Sequence, residues 1–274
     1  MDLTIVIVSF KSGEILDECI RSIDSKYQII VVENSLDQSL KFKLEKSYTN
    51  VKCVIPEKNL GYGAGNNLGI NLAKSNYVLI LNPDTILLHN TIERLNCAAK
   101  EIKDFAILGP KIYGENDNET QDYKSVEYIK GFAILFNKEK FTKIGYFDEK
   151  YFLYFEEIDL CRKIIKSGFK IYSINDALIK HEGGKSHERK YDFEMELSRN
   201  WHWMWSTFYY HKKNFGYLTG ISKIYKNFFS SLIKVIIYFL IFNSQKKKIY
   251  FQRLSGIYNS LIGKPSWYRP NFKI

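Results

Sequence analysis

The chain is predicted to fold as an α/β protein, a mixed, mostly parallel sheet flanked by helices, with a helical, basic C-terminal appendage. Three observations predict this. Short β-branched apolar runs alternate with helix-spaced segments along the first half of the chain. Three of those runs end in polar side chains: Ser9, Glu33-Asn34-Ser35 and Asn82-Pro83-Asp84. The 78 residues after Glu196 contain no Asp or Glu and thirteen Lys or Arg, whereas residues 1–196 hold 27 basic and 30 acidic groups.

In chain order, Leu3–Ser9 reads as a strand rather than a leader segment, because it has no basic stretch ahead of it. Ile15, Leu16, Cys19, Ile20 and Ile23 are spaced as one face of a helix over 13–23. Gln28–Glu33, 51–55 and Tyr77–Leu81 read as strands, with a glycine-rich turn and helix at 61–74 before the last. A helix at 90–100 and a strand at 105–109 continue the alternation that makes a parallel sheet with helices on both faces. From about Pro110 the pattern changes to a polar loop, a strand at 131–136, a short helix at Lys138–Ile144 and an acidic helix at 156–167. The expected division is a catalytic domain over 1–200 and a helical, basic, membrane-associating region over 201–274. A hydrophobic content of 45% supports a full core. The four cysteines show no CxxC spacing, which fits reduced thiols rather than a zinc site or a disulfide frame.

Four segments carry candidate chemistry. Asn82-Pro83-Asp84-Thr85 could be only a turn, but it ends a buried strand. In open α/β sheets ligands bind at the carboxyl ends of strands, so Ser9, Glu33 and Asp84 are expected to face one crevice. There Glu33 could read a base or ribose, and Asp84 could hold Mg²⁺ or Mn²⁺, hard cations that prefer oxygen. The block Asn59-Leu60-Gly61-Tyr62-Gly63-Ala64-Gly65-Asn66-Asn67 suggests close backbone approach to an anionic ligand at a helix N-terminus. Its G-x-G-x-G spacing and late position do not match a dinucleotide fingerprint. Glu156, Glu157 and Asp159 follow the aromatic run 151–155. Acids in a first turn complement the helix dipole, and apolar neighbours and like charges also raise a carboxylate's pKa as a general base requires. His181 could be a second metal ligand, with Lys185 in a glycine-containing flap over phosphates.

Together and in this order, the segments resemble the family 2 glycosyltransferases of the GT-A fold, in particular the bacterial rhamnosyltransferase-like subgroup, over roughly residues 3–200. The residues that carry the resemblance are Thr4-Ile5-Val6-Ile7-Val8-Ser9-Phe10, Val32-Glu33-Asn34-Ser35, the 59–69 block, Asn82-Pro83-Asp84, Gly145-Tyr146-Phe147-Asp148-Glu149 and the 156–160 block. The resemblance implies a nucleotide-diphosphate sugar donor, a divalent metal (Mg²⁺ or Mn²⁺) and inversion of the anomeric centre in one displacement. It implies Asp84 and His181 as metal ligands and Glu157 as catalytic base, with Glu156 and Asp159 as further candidates. It also implies Ser9, Phe10, Glu33, Asn34, Asn59, Gly63, Asn66, Asn82 and Lys185 as donor-binding residues. Two departures stand out. Asn82 replaces the first Asp of the family's D-x-D motif, and Glu33 and Glu157 each replace a more usual Asp. By subgroup similarity the donor is dTDP-rhamnose, with UDP-hexoses as the alternative.

The stretch 228–242 is apolar apart from two serines and Lys234, and Lys246-Lys247-Lys248 follows it. It falls short of the ~20 residues that span a bilayer. It fits a helix lying in the interface of an anionic membrane, or a core helix with solvated lysines beyond. The first reading predicts a cytoplasmic protein held peripherally on the inner face of the cell membrane. Its acceptor would be a glycan or polyprenyl-diphosphate-linked sugar of surface polysaccharide synthesis, such as capsule or O-antigen, and no nucleic acid is expected. The rival is a non-enzymatic nucleotide-sugar or single-strand nucleic-acid binder using Trp201, Trp203, Trp205, Tyr209 and Tyr210 interleaved with lysines. The acidic cluster 156–159 argues against it, since it would repel phosphate in the absence of a metal.

Overall fold

A computed structural model describes residues 2–115, 121–181, 187–270 and 272. They cluster into two compact units, one made of residues 1–147 and 157–188, the other of 148–156 and 189–274.

The first unit is built on one mixed sheet. Its strands are β1 (Leu3–Ser9), β2 (Gln28–Glu33), β3 (Val51–Val54), β4 (Tyr77–Leu81), β5 (Thr85–Leu87), β6 (Phe105–Ile112), β7 (Tyr123–Ser125), β8 (Ala133–Asn137) and β9 (Lys170–His181). They lie in the order β3-β2-β1-β4-β8-β6-β9-β5, with β7 paired to β9. β3, β2, β1 and β4 run parallel; β8 is antiparallel to both β4 and β6. The helices are α1 (Gly13–Arg21), α2 (Gln38–Ser47), α3 (Tyr62–Leu72), α4 (Thr91–Glu101), α5 (Lys138–Ile144) and α6 (Glu156–Lys166).

Period-two side-chain alternation sorts the sheet into two cores. Leu3, Ile5 and Ile7 of β1 join Leu79 and Leu81 of β4 in one, with Leu16 and Cys19 of α1 and Leu95 of α4. Val6, Val78 and Ile80 join the other, with Ile70 of α3, Phe141 of α5 and Leu160 and Ile164 of α6. Helices on both faces of a mainly parallel sheet are what the alternation along the sequence predicts. Four elements went unpredicted: α2, the short β5 and β7, and β9, whose twelve residues mix burial classes as β6, β7 and β5 all pair with it.

The second unit contains α7 (Asp192–Phe215), α8 (Tyr217–Leu240) and α9 (Ser244–Leu261). Met204, Phe208, Ile224 and Ile257 form its small core. Gly256 is where α9 crosses α7: a Cβ there would overlap the Trp201 carbonyl oxygen. Trp201, Trp205 and Tyr210 are buried, and their aromatic surface is spent on packing. The segment 148–156 is held to α7 by Ser206 Oγ donating to the Leu153 carbonyl at 2.9 Å, and by Asp148 accepting from Tyr209 (2.9 Å) and Lys213 (2.7 Å). Arg269 lies 3.6 Å over the Phe152 ring. No described helix is long and apolar enough to cross a membrane.

Candidate active site

The parallel strands β2, β1 and β4 deliver their carboxyl ends side by side. Ser9 is in register with Glu33, and Ile7 with Leu81, so Asn82 emerges next to Val8 and Asp84 beyond it. The turn at 82–85 is tied down from several sides. Asn82 N–H donates to the Phe132 carbonyl (2.8 Å), Thr85 N–H to Asn82 O (3.1 Å), and the Cys19 thiol to Asn82 O (3.6 Å). Burial, with Asp84's charge adding to it, pushes the Cys19 thiol up to about 12, so it stays a protonated donor.

β5 then pairs antiparallel with β9, setting Thr85 opposite His181. This brings His181 Nδ1 to 3.5 Å from Asp84 Oδ1 and 3.4 Å from Thr85 Oγ1, with the imidazole 4.5 Å from the Phe132 ring. Asp84 is 6% exposed, and its Oδ1 is buried without a hydrogen-bond partner. A desolvated carboxylate oxygen left without a donor is costly, and a cation relieves that cost. A hard oxygen and an imidazole nitrogen fit a divalent metal whose other positions would go to phosphate oxygens and water. Among the described residues no third His, Cys, Asp or Glu completes a protein-only cage. That composition suits a metal shared with substrate phosphates.

Glu157, the second residue of α6, lies beside Gly131, where a Cβ would come 3.5 Å from Glu157 Cγ, an ordinary contact. Burial raises the Glu157 pKa above the ordinary carboxylate range, opposed by backbone N–H groups at the helix start and by the Tyr128 hydroxyl, which donates to Oε1 at 3.0 Å. Glu156 and Asp159 are both buried at 3% exposure, while Glu157 keeps partial access to solvent. Of the three carboxylates, Glu157 is the one with access to solvent. Immediately before this helix Tyr154 and Phe155 both have φ of +71°, strained for side-chain-bearing residues. Phe155 is braced by the rings of Trp203 and Tyr210.

The remaining candidates divide into ligand-facing and structural roles. Glu33 is fully buried. Its Oε1 accepts from the Ser35 N–H (2.8 Å) and hydroxyl, and its Oε2 has no hydrogen-bond partner. Burial raises its pKa, and the bonds from Ser35 pull it back. Asn34 works as a loop clamp, donating to Gly61 O (2.9 Å) and accepting from Leu60 N–H (3.3 Å), while Asn59 Oδ1 accepts from Gly61 N–H (3.0 Å). Phe10 lies just past the end of β1, its N–H donating to Ser12 Oγ (3.2 Å). Gly63 and Asn66 sit in α3, where Asn66 donates to Tyr62 O. Much of the glycine block serves helix–sheet packing: a Cβ on Gly65 would press on Val8, and one on Gly69 would overlap Val6. Lys185 lies outside the described residues. Sequence reasoning passed over Tyr128 and Gly131, and gave Asn67, inside the glycine block, no role of its own. Asn67 clamps both the N–H and the carbonyl of Phe147, at 3.1 and 3.0 Å. Each acts through a partner distant in sequence, so no local spacing marked it.

Residues 4–161, more than half of the chain, match Glycosyl transferase family 2. The chain belongs to that family. It is 26% identical over 198 residues to the low-salt glycan biosynthesis hexosyltransferase Agl10 of Haloferax volcanii, covering 62% of this chain and 64% of that protein. Over 211 residues it is 24% identical to rhamnosyltransferase WbbL of Escherichia coli, covering 62% of this chain and 79% of WbbL. Over 237 residues it is 22% identical to the N-acetylglucosaminyl-diphospho-decaprenol L-rhamnosyltransferase of Mycobacterium tuberculosis, covering 67% and 77%. Among solved structures, the mannosyltransferase PcManGT of Pyrobaculum calidifontis, in complex with GDP-Man and Mn²⁺, superposes with a TM-score of 0.58 at 10% identity, covering 95% of this chain and 87% of that one. TarS of S. aureus in complex with UDP-GlcNAc superposes with a TM-score of 0.54 at 14% identity, covering 98% and 93%. These likenesses show the fold, which is GT-A.

Proposed function

We propose that this protein is an inverting, metal-dependent glycosyltransferase that moves a hexose from a nucleotide-diphosphate donor to a glycan acceptor. The observation that carries the reading is the buried Asp84 Oδ1, which accepts no hydrogen bond and lies 3.5 Å from His181 Nδ1. Asp84 and His181 would hold Mg²⁺ or Mn²⁺, which when bound supplies positive charge to the departing diphosphate. Glu157 accepts the acceptor hydroxyl's proton as that oxygen attacks the anomeric carbon. The carbon–oxygen bond to the diphosphate breaks on the opposite face, and the nucleoside diphosphate leaves with the bonding pair. One displacement inverts the anomeric centre and needs no enzyme nucleophile. Ser9, Phe10, Glu33, Gly63, Asn66 and Asn82 would bind the donor, Asn34 and Asn59 would do so by holding the Gly61 loop, and Lys185 is proposed as a phosphate contact.

The donor we favour is dTDP-rhamnose, then a UDP-hexose, with a polyprenyl-diphosphate-linked sugar as acceptor in bacterial surface polysaccharide synthesis, capsule or O-antigen. The named activities of the E. coli and M. tuberculosis relatives support this choice. The acid-free C-terminal stretch supports peripheral attachment to an anionic membrane surface on its cytoplasmic face. Nucleoside diphosphate release across a panel of nucleotide sugars, with Mn²⁺ or Mg²⁺ and a lipid-diphosphate sugar acceptor, tests the proposal. Turnover of one donor, abolished by chelation, is expected; no turnover of any donor contradicts it.

A further inference from the structure

No residue from Leu232 to Ser255 is buried, so the distal parts of α8 and α9 form a two-helix arm outside the small core of their unit. The two helices touch through the stacked rings of Tyr238 and Tyr250, 5.5 Å apart, and through Lys234, 4.7 Å over the Tyr250 ring. At 1.5 Å per residue α8 runs about 14 Å past Ser231, its last buried residue.

The α8 half of the arm is apolar on every side. Residues 232–242 contain one charge, Lys234. With 100° between successive residues, the unbroken apolar run 235–242 points in all directions around the axis. A helix lying flat in a membrane interface keeps a polar face toward water, and this segment has none. Exposure peaks at the loop end, with Phe239 at 62%, Leu240 at 65%, Ile241 at 59% and Phe242 at 92%. Phe242 takes a φ of +54°, a left-handed position where glycine is the usual occupant.

A second feature lies at the same end. Lys246, Lys247 and Lys248 begin α9, whose first turn has no acid. A helix dipole disfavours cations there, and Asn243 already takes the Lys246 and Lys247 N–H groups, so the three ammonium groups are what this end offers to anions. Lys246 lies 5.4 Å over the Tyr238 ring and Lys247 5.4 Å over Phe239, their stems running along apolar surface.

We propose that the α8–α9 hairpin enters an anionic phospholipid bilayer tip-first, with residues 239–242 in the outer acyl region and Lys246, Lys247 and Lys248 level with the lipid phosphates. This rests on the membrane reading given under Proposed function and replaces a flat-lying helix with an inserted loop end. The full chain carrying Cys97→Ser, which removes the exposed thiol and leaves three buried ones, accepts a nitroxide at Leu218→Cys, Ile233→Cys or Phe242→Cys. Bound to phosphatidylcholine–phosphatidylglycerol vesicles, the three labels should report a depth gradient, with 242 in the acyl region, 233 at the headgroups and 218 in water. Equal shallow depths would overturn tip insertion while leaving membrane attachment intact. Failure of the unlabelled protein to float with these vesicles would overturn both. Spin–spin broadening at 242 without lipid contact would assign the tip to a second copy and overturn the proposal. Phe239→Ser with Phe242→Ser should cut vesicle partition at least tenfold, with turnover of soluble donor unchanged to show that the fold is intact. Undiminished partition of this variant counts against the proposal.

Discussion

Glu157 is a carboxylate under two opposed influences, burial that raises its pKa and the Tyr128 hydroxyl that lowers it. A base works deprotonated, so activity should climb with pH as Glu157 loses its proton, with a midpoint above the ordinary carboxylate range. Tyr128→Phe removes the lowering contact and should move the acid limb of log kcat/KM to higher pH, with activity recovering on the alkaline side. An unmoved limb would separate Tyr128 from the base. Glu157→Gln should lower kcat by roughly 10²- to 10⁴-fold, measured as nucleoside diphosphate release. At this scale the sequence was legible where a side chain ends a strand, as Asp84 does. It was not legible where a role depends on a fold contact: nothing near Tyr128 announces its bond to a residue 29 positions away.

Helix α3 lies against β1 because Gly65 and Gly69 carry no side chain toward Val8 and Val6. Gly69→Ala should destabilise the first unit by about 1–3 kcal/mol through overpacking, and Val6→Ala in the same chain should recover part of the loss, read from denaturant midpoints. The glycine block was visible in the sequence as a place of close approach, but the partner of these two glycines is the sheet. In the second unit, α7 holds His202 fully buried. Its Nε2–H donates to the Tyr268 carbonyl (2.8 Å), and its Nδ1 accepts from the Ser266 hydroxyl (2.9 Å). Both nitrogens are satisfied in the neutral ring, and burial lowers its pKa from 6.5 to about 3. The unfolded chain binds a proton that the folded one refuses, so this contribution is complete above the unfolded pKa and is lost as pH falls from 6.5 toward 3. Between pH 7 and pH 5 the unit should lose about 2 kcal/mol of stability, and His202→Gln should flatten that slope in urea unfolding.

Over the whole molecule, charge and chemistry are divided along the chain: the acids all precede residue 197, and an excess of thirteen cations follows. The strand–helix alternation and the acid-free C-terminus were plain in the sequence because both are periodic or compositional. The two-core sheet follows from the same alternation. The strand order beyond β4 was not legible, because β8 and β9 return antiparallel and parallel through long-range pairings that no local pattern encodes. Those pairings are what set His181 opposite Thr85 and so beside Asp84. Asn82 leaves Asp84 as the one carboxylate of its motif, so the proposed metal grip would rest on Asp84 and His181. The most direct measurement is the rate of nucleoside diphosphate release from the accepted donor at saturating Mn²⁺, comparing the native chain with Asp84→Ala. A fall of at least about a hundredfold, not restored by more metal, is predicted; a variant that retains most of its activity would contradict the account.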